Sequence, residues 1–375
     1  MQKAISILGT RGIPAQHGGF ETFAEYLAPY LVNQGWKVTV YCQDEGGGEI
    51  YEDEWNGVRL VHIPVPQEGA KGTIIFDWKS TLHAAKTKDL ILTLGYNTAL
   101  FCLIYRLKGI KNIINMDGIE WRRDKWTFME RAWLYINERA GCWLGNHLIA
   151  DHPEIKNHLS TRVSKNKITM IPYGSDSIES ADISELDKYG LEANEYAIVI
   201  ARPEPENSIL EIVTAFSSKK RSKKLVVLGN YDKANPEYSK MVKGAASDEV
   251  IFPGAIYEKS AIQALRYYAC LYIHGHTVGG TNPSLVEALG AGNAVLAHDN
   301  KYNRWVAGET NKYFKDIDEC KSRLDEFFAS NQTIEELKTY SKERHVNNFT
   351  WIKILQEYQT VINNNLIEYG NNKFN

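Results

Sequence analysis

Short apolar runs alternate with stretches of helical periodicity along the whole chain. In the first half, Ala4–Leu8, Lys37–Cys42, Val58–Ile63, Leu90–Leu94, Asn112–Met116, His147–Ala150 and Ile168–Ile171 read as strands. The pattern returns at Ala197–Ala201, Leu225–Leu228, Val250–Phe252, Cys270–Ile273 and Ala294–Ala297. Strands alternating with helices predict parallel, doubly wound α/β sheets, here as two units in tandem. The polar stretch Gly174–Asn194 is the expected linker. Asp44–Glu54, acidic and carrying Gly46-Gly47-Gly48, reads as a solvated loop. The basic run Lys219–Lys224 reads as a solvated connection, with a membrane-surface role as the alternative. Ligands of open α/β sheets bind beyond the carboxyl ends of the strands. Two such domains facing each other would place a site in the cleft between them.

Size and composition narrow this picture. A length of 375 residues suits two domains, and 43% hydrophobic with 24% charged residues is ordinary for a globular chain. The formal net charge of −3 gives no general attraction to nucleic acid. Cys42, Cys102, Cys142, Cys270 and Cys320 are scattered without a CxxC pair, which suits a reducing cytosol and argues against a zinc site or a disulfide framework. The chain enters a strand at once, with no signal peptide, so a cytoplasmic protein is expected. The most apolar stretch, Asp89–Lys108, is interrupted by Gly95, Tyr96 and Asn97 and reads as strand, loop and helix, not a membrane span.

The chemistry concentrates in His274–Gly290. An apolar strand runs into a loop holding Gly279, Gly280 and Thr281, and a helix opens at Pro283-Ser284. Proline suits a first helical turn because it needs no amide donor there. The amides of Ser284 and Leu285 are then expected to be unpaired, and with the helix dipole they attract a phosphate. Glu287, about one turn in, can reach a neighbouring sugar hydroxyl. A second glycine loop, Gly9–Thr22, carries Arg11, His17, Gly18 and Gly19 ahead of a helix over Phe23–Asn33. It offers amides to a phosphate, or is simply a tight strand-to-helix turn. Its spacing is not GxGxxG. Arg202 ends a strand at the start of the second half, and either binds phosphate oxygens or pairs with Glu204 or Glu206. His274 and His276 either orient their loop or touch the ligand; their spacing, with no carboxylate near, makes no metal site.

Together these residues resemble a GT-B glycosyltransferase of the retaining family 4 type, over nearly the whole length. The strand–Arg202–helix pattern, Phe252-Pro253-Gly254, the glycine loop leading to Glu287-Ala288-Leu289-Gly290, and Phe349-Thr350-Trp351 before a last helix all fit. The opening Gly9-Thr10-Arg11-Gly12-Ile13-Pro14, Gly18-Gly19-Phe20-Glu21-Thr22 and Asn115–Trp121 are similar to a bacterial polysaccharide-assembly subgroup, many of them described as rhamnosyltransferases. The resemblance implies two Rossmann-like domains facing across a cleft, an acceptor-side domain at 1–176 and a nucleotide-sugar domain at 177–354. It also implies a closing helix at about 355–375 that packs back on the first domain. Glu287 would hold the nucleotide ribose, while Ser284, Leu285 and Arg202 would hold the diphosphate, in a loop that includes Gly280 and Thr281. Gly18 and Gly19 would lie beside the donor phosphates.

Three positions depart from that pattern. Asn207 stands where a lysine is usual, and Arg11 is a candidate to replace its charge. Gly279 stands where a sugar-reading glutamate is usual, and Asp117 where a histidine reaches the sugar's 6-hydroxyl. Both of these changes point to an unusual donor, a 6-deoxy sugar such as rhamnose. Asp117 is the one candidate catalytic residue; a carboxylate capping a turn with Gly118 is the other reading. With no DxD pattern at a strand end, a metal-independent mechanism without cofactor is expected.

Trp121, Trp126, Trp133 and Trp143 are interleaved with Arg122, Arg123, Lys125, Arg131 and Arg139, and acidic residues nearly cancel the charge. This is either an amphipathic helix on the sheet or a peripheral contact with the inner face of the membrane. The expected activity is transfer of a sugar from a dTDP- or UDP-linked donor to a saccharide or lipid-linked acceptor. A nucleotide-sugar epimerase or phosphorylase of the same fold, a non-catalytic nucleotide-sugar binding protein and a Rossmann dehydrogenase are the rivals.

Overall fold

The computed structural model describes residues 3–16 and 18–371, with side chains through residue 366. The chain divides into two compact units, Met1–Pro172 with Ile352–Asn375, and Tyr173–Trp351.

The first unit runs β1 (Ala4–Leu8), α1 (Gly19–Asn33), β2 (Lys37–Glu45), β3 (Tyr51–Trp55), β4 (Val58–Val65), α2 (Gly69–Ala84) and β5 (Leu90–Leu94). It continues with α3 (Leu103–Leu107), β6 (Asn112–Asn115), α4 (Phe128–Leu144), β7 (His147–Ala150), α5 (Pro153–Leu159) and β8 (Ile168–Met170). Among the described residues its sheet has eight strands in the order β3-β4-β2-β1-β5-β6-β7-β8. Every pairing is parallel except β3 with β4. Apolar β1, β5, β6 and β7 are buried because helices cover both faces.

β3 corrects the reading of Asp44–Glu54 as a solvated loop. Its three central residues, Glu52, Asp53 and Glu54, are all acidic, yet Tyr51 stacks on His62 with ring centres 4.5 Å apart, and Glu52 takes both arms of the Arg59 guanidinium. Cross-strand pairs of this kind hold an edge strand that carries little apolar surface, and its charges protect the edge.

The second unit runs β9 (Tyr196–Ile200), α6 (Ile209–Ser217), β10 (Lys224–Leu228), α7 (Pro236–Gly244), β11 (Val250–Gly254), α8 (Lys259–Tyr267) and β12 (Leu271–His274). Then come α9 (Pro283–Gly290), β13 (Ala294–His298), α10 (Lys301–Ala307), β14 (Lys312–Phe314), α11 (Ile317–Ala329) and α12 (Asn331–Asn348). Its six strands are ordered β11-β10-β9-β12-β13-β14, all parallel, with a buried apolar layer on each face.

Gly174–Asn194 is not a free linker. Leu186 and Leu191 enter the core of the second unit beside Tyr196, and the Ile178 amide donates to the Gly290 carbonyl at 2.9 Å. The stretch looks polar because only these few side chains point inward. The basic run at 219–224 is likewise only partly solvated. The Arg221 side chain is buried, and its Nε donates to the Phe216 carbonyl at the end of α6.

The last helix, α13 (Trp351–Asn371), joins the first unit from Ile352 onward. Ile354 and Ile362 are buried, and Tyr358 packs on Phe23 at 4.5 Å while accepting a hydrogen bond from Asn115 Nδ2. No helix of the described residues is long and apolar enough to cross a membrane.

Candidate functional site

Strand order locates a candidate site in each unit. In the second unit the chain moves outward one way from β9 and the other way from β12, which are neighbours. The loops leaving their carboxyl ends diverge, and such a switch point is where open α/β sheets bind ligands. In the first unit the switch lies between β1 and β5.

At the second-unit switch, the loop after β9 carries Arg202. Its carbonyl is fixed by the Glu204 amide at 2.8 Å and by Asn207 Nδ2 at 2.9 Å. Asn207, the residue in the lysine position, is therefore buried and structural. The Arg202 side chain is exposed and makes no ion pair among the described residues. The loop after β12 is laced to the same segment. Thr277 donates to the Glu206 carbonyl through its amide (2.9 Å) and its hydroxyl (3.0 Å). A Cβ on Gly275 would lie 2.0 Å from the Asn207 carbonyl oxygen, so only glycine allows this approach. Gly279 has φ +125° with open space around it. A glutamate there would be strained by the backbone, not by crowding.

The helix that follows is entered as the Asn-Pro-Ser sequence suggests, with Pro283 in the first turn. One expectation fails. The Ser284 amide is not unpaired: it donates to Asn282 Oδ1 at 3.0 Å, and the Leu285 amide donates to the Asn282 carbonyl at 3.1 Å. Asparagine is a strong N-cap, so the sequence that opens the helix also satisfies its first donors. Any ligand of the Ser284 amide would have to displace this cap. Thr281 is buried and Gly280 partly exposed beside it.

Glu287 is held by a residue that sequence reasoning missed. Arg266, on the last turn of α8 and buried, donates through Nη2 to Glu287 Oε2. The second carboxylate oxygen has no partner among the described residues, and the side chain is 31% exposed. One oxygen anchored and one presented is what recognition of a hydroxyl requires. Nothing in the sequence flags Arg266, because α8 and α9 meet only through the fold.

His274 and His276 stack at 4.3 Å, nearly parallel. His274 is buried, with neither ring nitrogen bonded among the described residues. Burial, together with His276 and His298, holds its pKa well below the usual histidine range, so it is neutral. The His276 carbonyl accepts from Asn300 (2.9 Å) and Asn303 (2.8 Å), which ties the loop to α10. It is the His276 backbone, rather than either ring, that makes this tie.

In the first unit, Gly18 caps α1 with φ +107° and no side-chain cap. Glu21 and Glu25 of that helix hold the glycine loop, accepting from the Arg11 amide at 2.9 Å and the Ala15 amide at 2.8 Å. Glu21 also folds over Gly18, so a phosphate at Gly18-Gly19 meets a carboxylate as well as amides. The Arg11 side chain is exposed and makes no ion pair among the described residues. His17 lies outside the described residues.

Asp117 follows β6 in a left-handed conformation, φ +47°. Its amide donates to Asn115 Oδ1 at 2.9 Å. Burial and the neighbouring Glu120 push its carboxyl up to about 6, opposed by the Gly118 amide. Glu120 is gripped by Arg123 at 2.9 and 3.0 Å, and its amide donates to the Tyr96 hydroxyl at 2.8 Å. Tyr96 stands just beyond β5, so this tie brings Asp117's loop to the switch point. The arrangement can exchange a proton near neutral pH, and it also caps its own turn. Among the described residues no group of three or more His, Cys, Asp or Glu side chains gathers as a metal site.

Residues 2–176 match a family model described as a domain of unknown function, DUF1972. No curated protein matches the chain. Among solved structures, sucrose-phosphate synthase from Thermosynechococcus elongatus is 17% identical, with TM-score 0.81 over 98% of this chain and 100% of that one. The Anabaena protein HepE in complex with UDP is 12% identical, with TM-score 0.75 over 96% and 100%. A glycosyltransferase from Rickettsia africae is 14% identical, with TM-score 0.73 over 97% and 99%. At these identities the likeness establishes the fold: two parallel-sheet Rossmann-like units of the GT-B type.

Proposed function

We propose that the chain is a glycosyltransferase. It moves a sugar from a UDP- or dTDP-linked donor to a saccharide or lipid-linked acceptor in bacterial cell-surface polysaccharide synthesis, with retention and without a metal. The observation that carries this reading is the second-unit switch point, where an Arg202 without an ion pair among the described residues and a carboxylate anchored by Arg266 flank a helix start with no acid in its first turn. Proteins of the same fold support it. HepE has been solved with UDP and with UDP-glucose, and two others are named sucrose-phosphate synthase and trehalose-phosphate synthase.

In this reading Arg202 and the start of α9 take up charge as the diphosphate leaves. Glu287 Oε1 accepts a ribose hydroxyl. A phosphate oxygen of the leaving group can take the acceptor's proton. Asp117, with its raised pKa, is the one protein group proposed as base or as acceptor-binding carboxylate.

The donor sugar is a 6-deoxy hexose such as rhamnose. The backbone at Gly279 disfavours the carboxylate that would read sugar hydroxyls there, and Asp117 replaces a group suited to a 6-hydroxyl. Calorimetry across UDP-, GDP- and dTDP-sugars tests the donor. Glu287→Ala should weaken binding of the preferred nucleotide, and unchanged affinity would overturn the role given to that carboxylate. Faster turnover of UDP-glucose than of dTDP-rhamnose with the same acceptor would remove the 6-deoxy reading alone.

A further inference from the structure

One face of the first unit is built for contact that sugar transfer does not explain. α2, the 3₁₀ turn Ala99–Cys102 with α3, and α4 form one layer. Thr98 Oγ1 donates to Asp77 of α2 at 2.8 Å, and the Leu100 amide donates to Asn137 of α4 at 3.0 Å. Trp133 Nε1 donates to the Asn97 carbonyl at 2.8 Å, and Lys108 reaches the Ala85 carbonyl at 2.9 Å. The layer is thus cross-linked from helix to helix.

Its outward positions are apolar at helical spacing: Trp78 and Leu82 on α2, Leu103 and Leu107 on α3, Ile136 and Trp143 on α4. All six are exposed, Leu107 and Trp143 each by 79%. A grouped apolar face with tryptophans is not an ordinary solvated surface. Charge separates the possible occupants. From Gly69 to Lys111 the chain has seven lysines and arginines against two acidic residues, in a protein of net charge −3; of the seven, Lys79, Lys108 and Lys111 hold the carbonyls of Pro64, Ala85 and Asn365. Those two, Asp77 and Asp89, are engaged by Thr98 and Ser6. On α4, Glu130 closes the capping box with Thr127, and Glu138 is buried against Trp121 and His158. Arg106 lies between Leu103 and Leu107 in sequence and Arg139 between Ile136 and Trp143; both are exposed and without an ion pair among the described residues. A two-fold contact with a second copy would bury these arginines against the same face, whose acidic residues are already engaged. An anionic bilayer accepts both the apolar side chains and the cations.

We propose that the α2–α3–α4 face docks on an anionic lipid bilayer. The proposal deepens the transferase reading and rests on it only for where a lipid-linked acceptor would be met.

Flotation of the full chain with phosphatidylcholine vesicles, with and without phosphatidylglycerol, tests it. The protein should float with phosphatidylglycerol vesicles at low salt and be released as salt rises. Leu107→Glu with Trp143→Glu should abolish flotation while circular dichroism stays unchanged. Arg106→Ala and Arg139→Ala should each weaken partitioning about fivefold. Met241→Glu, at an exposed position on α7 in the second unit, should float like the parent. Absence of flotation at low salt, or equal flotation of the double variant, would overturn the proposal. So would a concentration-dependent dimer that the double variant abolishes, which would assign the face to a second copy. Donor binding by calorimetry is read separately. Its loss with flotation intact would remove the transferase reading and leave the docking face standing.

Discussion

The two switch points share one topology and differ in charge. In the first unit, the helix opening at Gly19 places Glu21 and Glu25 against its own glycine loop, and their oxygens hold backbone amides. In the second unit, the helix opening at Pro283 has no acid in its first turn, and Arg202 on the neighbouring loop makes no ion pair among the described residues. A helix N-terminus attracts an anion only where carboxylates do not already take its field. Glycines before a helix therefore do not by themselves mark a phosphate site; the two loops look alike in sequence and differ in the charge of the first turn.

The contrast can be broken by substitution. The largest effect is expected at Arg266. Arg266→Met leaves Glu287 without its buried partner and should cost about 3 kcal/mol of stability in denaturant unfolding. A loss below about 1 kcal/mol would mean that the carboxylate is solvated, not anchored. Arg202→Ala removes a charged partner and should weaken UDP or dTDP binding by about 2 kcal/mol, roughly thirtyfold, in calorimetry. Unchanged affinity would place the diphosphate elsewhere.

Asp117 sharpens the first-unit side of the comparison. Its pKa is raised from 3.8 to about 6, so the folded chain holds a proton there that the unfolded chain releases. Its contribution to stability is present below about 4 and is lost as pH rises through about 6. Asp117→Asn should flatten that part of the pH–stability curve. If Asp117 is the base, transfer should fall about tenfold per unit below its pKa, and an unchanged pH–rate profile in Asp117→Asn would exclude it. The smallest effect is expected for Glu21→Gln, about 1 kcal/mol of stability with nucleotide affinity unchanged. Tighter nucleotide binding in that variant would show that the first-unit loop faces the phosphates after all.

Much of this architecture is legible in the sequence, because buried parallel strands must be short apolar runs. β1, β5 and β7 are readable to the residue. β3 is not, since its stability comes from Tyr51–His62 and Glu52–Arg59 across a hairpin and not from apolar burial. The site divides the same way. Arg202 and Glu287 stand out by their place after strands and within a helix start. Arg266 does not, because its meaning is a contact across 21 residues that only the packing of α8 on α9 creates. Asn282 as an N-cap that competes with a ligand for one N–H emerges only from the structure.

That last hydrogen bond has a consequence for selectivity. Asn282 acts as a built-in surrogate for whatever binds the Ser284 amide. An incoming group gains only the difference between its own bond and the one it evicts, about 1 kcal/mol. A lone weak anion thus gains little, whereas a ligand that also engages Arg202 and Glu287 gains on three fronts at once. In the proposed reading, the cap sets a threshold that favours a nucleotide over a stray phosphate.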